Sequence, residues 1–233
     1  MPALFVTATD TAVGKTIVAS ALAEAWRGSG RRVGVMKPLA CGGDFDTRLL
    51  MAASQSQDPI ELVTPLQFSA PLAPNVAAPR EGRTVELSLA DAALEKLRRA
   101  HNLLIVEGLG GALAPLTDDV AAIDWAAKHG LPALVVARTD LGTLNHTLLT
   151  LEALAARNVP VLGVVLNRSH GGEVGLAEET NPETLRRLIR VPLWGPVPFV
   201  SEIVETDPIE DVAKRLPLIP FAAEILAALT QKS

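Results

Sequence analysis

The segment TATDTAVGKT at residues 7–16 constrains the fold of this chain more than any other part of the sequence. It ends in Gly14, Lys15 and Thr16, the order found in loops that bind nucleotide phosphates. In such a loop, successive backbone N–H groups surround the phosphate, the lysine adds a positive charge, and the hydroxyl completes the shell of a Mg²⁺ ion. The segment predicts a phosphate-binding loop if a strand precedes it and a helix follows.

The sequence on both sides of the loop has the required pattern. Residues 3–7 form a short apolar run typical of a strand buried on both faces, and residues 17–26 carry apolar side chains at helical spacing. The general loop pattern also begins with a glycine, whereas this chain has Ala8 and Thr9 at the two possible positions. We expect Ala8 to be harmless if its φ angle is negative and strained if it is positive.

The composition indicates a folded protein and disfavours several classes of partner. The 233 residues are 48% hydrophobic and 20% charged, which is typical of a globular chain and sufficient for a single α/β domain over residues 1–233. A net charge of −5, with no more than two basic residues in a row, argues against nucleic acid. Cys41 is the only cysteine, the apolar runs are short, and no leader pattern precedes the first strand, so we expect a cytoplasmic protein without membrane attachment.

Strand-like and helical patterns alternate along most of the chain. Strands are predicted at residues 3–7, 33–36, 103–106, 133–137, 161–166 and 193–197. Helices are predicted at residues 15–28, 45–54, 88–100, 119–129, 143–157, 181–190 and 209–230, the last broken near Pro217 and Pro220. Residues 57–86 contain five prolines and are predicted to form a long surface connection. This alternation predicts an α/β fold that is P-loop NTPase-like, with a mostly parallel central sheet and helices on both faces.

A lysine follows the second predicted strand, at the sheet edge where parallel α/β folds bind their ligands. Lys37 comes directly after residues 33–36, and Pro38 holds it in an extended conformation. The position is equally consistent with a cation beside Lys15 that neutralises a bound anion and with a lysine that lies in solvent.

Carboxylates stand at two further points where a metal ion could bind. Glu107 follows four apolar residues and precedes a glycine-rich turn, which favours a Mg²⁺ ligand over a turn cap because an unpaired carboxylate is costly to bury. Asp44 or Asp46 could add a second carboxylate, although acidic residues are also common at the start of a helix. The four scattered histidines show no spacing typical of a zinc site.

Two asparagines are candidates for binding a base or a carboxylate. Asn167 ends a predicted strand, where its amide could bind the edge of adenine or form a turn. Asn145 lies near the start of a predicted helix, whose free N–H groups could hold a carboxylate.

Taken in order, four segments resemble the dethiobiotin synthetase family. They are TDTAVGKT at residues 9–16, KPLA at 37–40, EGLGG at 107–111 and LGTLNH at 141–146. The first segment is more specific than a general phosphate loop, and the intervals match nearly end to end. The resemblance extends through residues 164–167 and 196–198.

The resemblance implies an ATP-dependent ring closure. In this family, 7,8-diaminononanoate and CO₂ give the cyclic urea of dethiobiotin, and ADP and phosphate are released. One amine captures CO₂ as a carbamate, the carbamate attacks the γ-phosphate, and the second amine displaces phosphate from the mixed anhydride. The implied cofactors are ATP and Mg²⁺, and the implied assembly is a homodimer whose partner subunit completes the active site.

The resemblance also assigns roles to individual residues. The residues implied in catalysis are Lys37, Lys15 and Thr11, and the implied metal ligands are Thr16, Asp46 and Glu107. The residues implied in nucleotide binding are Ala12, Val13, Gly14, Lys15, Thr16, Ile17, Asp46, Glu107, Gly108, Leu109, Gly110, Asn167, Pro198, Phe199, Val200 and Glu205. The residues implied in substrate binding are Cys41, Thr143, Leu144 and Asn145, the last three from the partner subunit.

The sequence departs from the family pattern at a few places, and two other classes of protein have related loops. Ala12 stands where a glutamate is frequent, and Cys41 stands where the family often has a serine.

Partitioning ATPases commonly have a lysine at the position of Asp10, and cobyrinate amidotransferases carry a glutaminase domain for which this chain has no room. A nucleotide-binding module without catalysis is the remaining alternative.

Overall fold

The computed structural model describes residues 1–200 and 207–231, and its centre is a sheet of parallel strands. The strands are β1 (Ala3–Ala8), β2 (Val33–Met36), β3 (Leu39–Cys41), β4 (Leu66–Phe68), β5 (Leu103–Glu107), β6 (Ala133–Arg138), β7 (Val161–Asn167) and β8 (Leu193–Val197). The helices are α1 (Lys15–Gly28), α2 (Phe45–Ser54), α3 (Ile60–Val63), α4 (Pro74–Arg80), α5 (Leu87–Ala100), α6 (Ala122–Lys128), α7 (Thr143–Ala156), α8 (Leu176–Leu188), α9 (Ile209–Lys214) and α10 (Ala222–Gln231).

The order of strands places the ends of β1, β2 and β5 side by side. The central sheet has the order β2-β5-β1-β6-β7-β8, and every neighbouring pair in it is parallel. In the register between β1 and β5, Val6 lies opposite Glu107, and between β1 and β6, Ala8 lies opposite Val136. Because the carboxyl ends of parallel strands share one edge, the residues after β1, β2 and β5 meet there.

The alternation of side chains along β1 divides the core between the two faces of the sheet. Phe5 packs with Trp125 and the apolar side of α5 on one face. Leu4 and Val6 pack with α1 on the other face, where the indole of Trp26 donates a hydrogen bond to a carbonyl of α10 over 2.8 Å. The predicted α/β fold with helices on both faces is therefore confirmed.

Most elements were predicted to within one residue at each end, and two helices were misplaced. The helix predicted at 119–129 begins only at Ala122, because residues before it form a turn and Asp124 accepts the N–H of Ala121 over 2.7 Å. The helix predicted at 181–190 is α8, which begins earlier, at Leu176, where Glu178 accepts the N–H of Gly175 over 3.0 Å. Both starts are fixed by an acidic side chain at the third helical position.

Residues 57–86 were predicted to form a long surface connection, and the short regular elements within this segment were missed. This segment contains α3, β4 and α4, and β4 pairs with β3 in a separate parallel ladder. These elements are too short to show a hydrophobic period, and α4 begins at Pro74, where the missing N–H of proline has no cost. The helix predicted at 209–230 is interrupted as expected, between α9 and α10.

No helix among residues 1–200 and 207–231 combines the length and the apolar character that crossing a bilayer requires.

A single carboxylate joins α5 to α6 on the face that contains Phe5. Asp91 accepts hydrogen bonds from the indole of Trp125 over 2.8 Å, from Lys128 over 2.6 Å and from the ring of His129 over 2.7 Å. Burial alone would raise the pKa of Asp91, but these three donors outweigh it and hold the pKa below its usual value. The carboxylate is therefore more favourably placed in the folded chain than in the unfolded one.

We expect Asp91→Ala to lower the free energy of unfolding by about 1–2 kcal/mol at pH 7, a modest loss because the carboxylate is 26% exposed. The depressed pKa contributes stability above the unfolded pKa of about 4, and this contribution is lost as the pH falls through the folded value. Urea unfolding of both proteins from pH 7 to pH 3 should show the difference shrinking with acid. Asp211→Ala, at an exposed ion pair, is the control. Equal stabilities at pH 7 would contradict this role of Asp91.

Candidate functional site

The loop after β1 has a left-handed residue at two places, and neither is Ala8. Ala8 lies inside β1 as a buried strand residue, so its side chain causes no strain. Gly14 has φ of 93°, and a Cβ there would overlap the side-chain amide of Asn167. Ala12 has φ of 58°, a conformation that costs a non-glycine residue roughly 1–2 kcal/mol. The conformational cost in this loop therefore lies at Ala12 and not at Ala8, and any other non-glycine residue at position 12 would pay it as well.

Side chains from two neighbouring strand ends hold the loop in this conformation. Asn167, at the end of β7, donates from Nδ2 to the carbonyl of Val13 over 2.9 Å. Arg138, at the end of β6, donates from Nη2 to Oδ2 of Asp10 over 2.8 Å, and Oδ1 of Asp10 accepts the N–H of Thr11 over 2.8 Å. The loop is therefore fixed at both of its ends.

Lys37 lies between two carboxylates at the edge where β2 and β5 end. Its Nζ is 2.7 Å from Oε1 of Glu107 and 2.7 Å from Oδ2 of Asp46, and its side chain is only 4% exposed. Thr16, at the start of α1, donates from Oγ1 to the same Oε1 of Glu107 over 2.8 Å. Asp44 instead precedes α2 and is absent from the residues that line the adjacent cavity. The structure therefore brings Asp46, rather than Asp44, to Lys37.

The charges in this cluster shift one another's pKa values. Burial would lower the pKa of Lys37, but Glu107 and Asp46 outweigh burial and raise that pKa above its usual value. Burial raises the pKa of Glu107, and the nearby Lys37 opposes that shift. Burial lowers the pKa of Lys15, against the attraction of Glu107. Lys37 is therefore a permanent cation, whereas Glu107 depends on neighbouring cations for its charge.

The oxygen atoms of this cluster fit a Mg²⁺ ion. Oε2 of Glu107 is buried and has no hydrogen-bond partner among the described residues, which is costly for a carboxylate without a cation. The hydroxyl of Thr16 and the carboxylate of Asp46 lie on the same side of the site and line its cavity. Carboxylate and hydroxyl oxygens are the ligands that Mg²⁺ prefers. Thr16, Asp46 and Glu107 could therefore hold the ion.

A cavity of about 940 Å³ extends from the loop over Lys37, and most of the predicted site residues line it. The predicted residues in its lining are Thr11, Ala12, Gly14, Lys15, Thr16, Ile17, Lys37, Cys41, Asp46, Glu107, Leu109, Gly110, Phe199 and Val200. Burial raises the pKa of the Cys41 thiol to about 11, so the thiol is protonated at neutral pH.

One wall of the cavity is apolar and was not predicted. It comprises residues from two segments of the chain, which are Pro71, Leu72 and Ala73 in the first and Ala114 and Pro115 in the second. The first three residues follow β4, whose pairing with β3 brings them close to Lys37 and Cys41. The cluster of prolines in residues 57–86 was the available signal, since loops with many prolines and little periodicity often line sites.

Some predicted site residues lie outside the lining of this cavity. Val13 is buried, with its carbonyl on Asn167, and a Cβ at Gly108 would be 2.7 Å from the ring of Phe5. Neither Asn167 nor Pro198 lines the cavity. Glu205 lies outside the described residues. The nucleotide roles assigned to these positions stay predictions.

The predicted substrate turn at residues 143–145 also lies away from this chain's own cavity. Thr143 is the first residue of α7, and its buried hydroxyl donates to the carbonyl of Arg138 over 2.7 Å. Leu144 is partly buried and Asn145 is exposed. Leu141, just before α7, is 88% exposed, and Leu149, on α7, is 56% exposed. The start of α7 therefore lies at the surface, with exposed leucines just before and within the helix, and the N–H of Thr143 donates to the carbonyl of Asp140 over 3.2 Å.

Comparison with known proteins identifies the relatives of this chain. A family model described as an AAA domain matches residues 2–207. The ATP-dependent dethiobiotin synthetase BioD of Anaeromyxobacter dehalogenans is 46% identical over 205 residues, which is 84% of this chain and 92% of the relative. The protein of the same name from Bacillus subtilis is 39% identical over 210 residues, which is 88% of this chain and 90% of the relative.

Comparison with solved structures gives the fold alone. A ParA family ATPase from Chlorobium tepidum has a TM-score of 0.57 at 16% identity, covering 95% of this chain and 97% of that one. The MinC:MinD cell division protein complex of Aquifex aeolicus has a TM-score of 0.55 at 12% identity, covering 99% of this chain and 95% of that one. These similarities confirm the P-loop NTPase architecture predicted from the sequence.

We expect Glu107→Gln to weaken Mg²⁺ binding in the presence of nucleotide by at least roughly tenfold, because an amide cannot supply the anionic oxygen that Oε2 offers. Calorimetric titration of Mg²⁺ into protein and nucleotide measures this directly. Glu95→Gln, at an exposed position on α5, is the matched control. A metal titration unchanged from that of the unmodified chain would exclude Glu107 as a ligand.

Proposed function

Because the chain belongs to the family of ATP-dependent dethiobiotin synthetases, we propose that it is the C–N bond-forming ligase that makes dethiobiotin in biotin biosynthesis. Its substrates are 7,8-diaminononanoate, CO₂ and ATP, and its products are dethiobiotin, ADP and phosphate. The observation that carries the proposal is the buried Lys37 beside the phosphate loop, within 2.7 Å of two carboxylates at the floor of one cavity.

The positions of the two lysines support a mechanism that depends on charge and orientation. One amine of the substrate captures CO₂ as a carbamate, and a carbamate oxygen attacks the γ-phosphate of ATP, which releases ADP. Lys37 and Lys15 are suited to hold the carbamate and the phosphate together, because both are cations that line the same cavity. The second amine then attacks the carbonyl carbon and displaces phosphate, which closes the urea ring. Thr11, which also lines the cavity, can donate a hydrogen bond to an anion held there.

Three residues would hold the Mg²⁺ ion that this family of reactions uses. Thr16, Asp46 and Glu107 supply the oxygen atoms, and Oε2 of Glu107 is the one without another partner among the described residues. When bound there, Mg²⁺ would offset the negative charge of the phosphates. Lys37 contacts both carboxylates, so it restrains their orientation.

The two chemically different parts of the cavity match the two parts of the substrate. The polar floor around Lys37 suits the amines and the carbamate, and the apolar wall at Pro71, Leu72 and Ala73 suits an alkyl chain. Cys41 also lines the cavity and offers only a weak hydrogen bond from its protonated thiol.

The nucleotide would extend from the loop toward β7 and β8. The N–H groups between Thr11 and Thr16 would surround its phosphates, and Phe199 and Val200 would contact the base or ribose. Asn167 already uses one amide N–H on Val13, so it would bind adenine with its remaining N–H and its carbonyl oxygen.

We further propose a cytoplasmic homodimer in which α7 completes the cavity of the other copy. In the turn at residues 143–145, the N–H of Thr143 donates to the carbonyl of Asp140 over 3.2 Å, so the N–H groups of Leu144 and Asn145 are the ones that suit the carboxylate of the substrate. Leu141, at 88% exposure, and Leu149 would be covered by the second copy.

One assay tests the proposed reaction. We expect the purified protein, incubated with 7,8-diaminononanoate, bicarbonate, Mg²⁺ and ATP, to release ADP only when the diamine is present and to form dethiobiotin, detected by mass. ATP hydrolysis that ignores the diamine would instead favour the alternative of a partitioning ATPase.

We expect Lys37→Ala to reduce kcat at least about 100-fold while ATP binding stays largely intact, because the carbamate loses its compensating charge. Removing Lys37 also leaves two carboxylates unpaired, so circular dichroism must confirm that the variant is folded. Lys214→Ala, at an exposed lysine with an acidic partner, is the matched control and should leave kcat unchanged. A folded Lys37→Ala variant with nearly full rate would remove Lys37 from the mechanism.

A further inference from the structure

Asp10 connects the phosphate loop to the neighbouring strand, although it does not line the cavity. Its Oδ1 accepts the N–H of Thr11 over 2.8 Å, and its main-chain oxygen lies 3.4 Å from Nζ of Lys15. Its Oδ2 accepts Nη2 of Arg138 over 2.8 Å. A carboxylate beside an anion-binding loop opposes phosphate binding unless a cation neutralises it, and Arg138 provides that cation.

Arg138 contacts the substrate turn with its main chain as well as the phosphate loop with its side chain. Its carbonyl accepts the hydroxyl of Thr143 over 2.7 Å, and Thr143 is the first residue of α7. Nε of Arg138 is buried without a hydrogen-bond partner among the described residues, so Asp10 is the main polar anchor of this guanidinium. One residue thus joins the loop that would hold ATP to the turn that would hold the carboxylate of the substrate bound in the other copy.

The segment between Arg138 and Thr143 is held from the other side by α8. Asn181 donates from Nδ2 to the carbonyls of Thr139 and Asp140 over 2.9 and 3.0 Å. Glu178 accepts the hydroxyl of Thr139 over 2.9 Å. Both α8 side chains are buried. A segment held in this way transmits a displacement of Arg138 to α7 instead of absorbing it.

We propose that the Arg138–Asp10 pair is a positioning device that couples nucleotide binding at the phosphate loop of one copy to substrate binding in the cavity of the other copy, which the start of α7 would complete. This inference rests on the proposed function, since it requires that the turn bind the substrate carboxylate. The pair is partly exposed, at 30% and 52% of its side chains, so its contribution to stability is small and its role lies in coupling. Coupling of this kind is reciprocal: nucleotide tightens substrate binding by the same factor as substrate tightens nucleotide binding.

The test measures the dissociation constant of 7,8-diaminononanoate with and without a saturating, non-hydrolysable ATP analogue and Mg²⁺. We expect the analogue to tighten diamine binding at least about fivefold in the unmodified chain. In Arg138→Ala and in Asp10→Asn this factor should fall close to one. Arg138→Ala should also weaken binding of the analogue alone, because Asp10 then lacks its cation, whereas Asp10→Asn should not. The double variant should lose no more coupling than either single variant, because both remove the same contact. Arg138→Lys should restore part of the coupling.

A matched control separates coupling from general stability. Arg157 makes a similar half-exposed pair with Asp124, between the end of α7 and α6, so Arg157→Ala should keep the full coupling factor. Two results would overturn this inference and leave the proposed function intact. One is an unmodified chain that makes dethiobiotin but shows no coupling, and the other is an Arg138 or Asp10 variant that keeps the full coupling factor. A chain that makes no dethiobiotin would overturn the proposed function and this inference with it.

Discussion

The ammonium group of Lys37 is buried between the carboxylates of Glu107 and Asp46, and the arrangement of the site depends on this contact. Moving a lysine and a glutamate out of water is costly, and close contact between them recovers only part of that cost. Such a cluster therefore adds little net stability, and its value lies in fixing the positions of charges. Two lysines and two carboxylates around one cavity carry formal charges that cancel, which makes their burial tolerable.

The sheet provides the geometry that this cluster needs. The ends of β1, β5 and β2 lie side by side, so the phosphate loop, Glu107 and Lys37 come from three neighbouring strands. Asp46 reaches the cluster from α2, which the chain forms shortly after β3. The apolar side chains of β1 pack on both faces of the sheet, and this packing also fixes the position at the sheet edge where the loop after β1 begins. The core and the site therefore depend on the same register.

The sequence was informative where one side chain at a strand end carries the chemistry. Lys37 and Glu107 could be located because a charged residue directly after an apolar run is unusual and because parallel strands end at a common edge. The apolar wall at Pro71–Ala73 could not be predicted in this way, since β3 and β4 are three residues long and their pairing is a tertiary contact. The contact of Arg138 with Asp10 joins residues 128 positions apart, and neither residue alone indicates it.

The left-handed backbone of Ala12 affects how many conformations the phosphate loop can adopt. A glycine there would relieve the unfavourable φ of 58°, yet it would also widen the range of conformations open to the loop before a ligand arrives. Alanine allows the loop fewer conformations than glycine does, so the backbone N–H groups stay near one arrangement. The folded chain carries the strain at all times, and binding a ligand therefore costs less conformational entropy. Ala12→Gly would therefore relieve strain in the folded chain and at the same time raise the entropic cost of ordering the loop around a ligand.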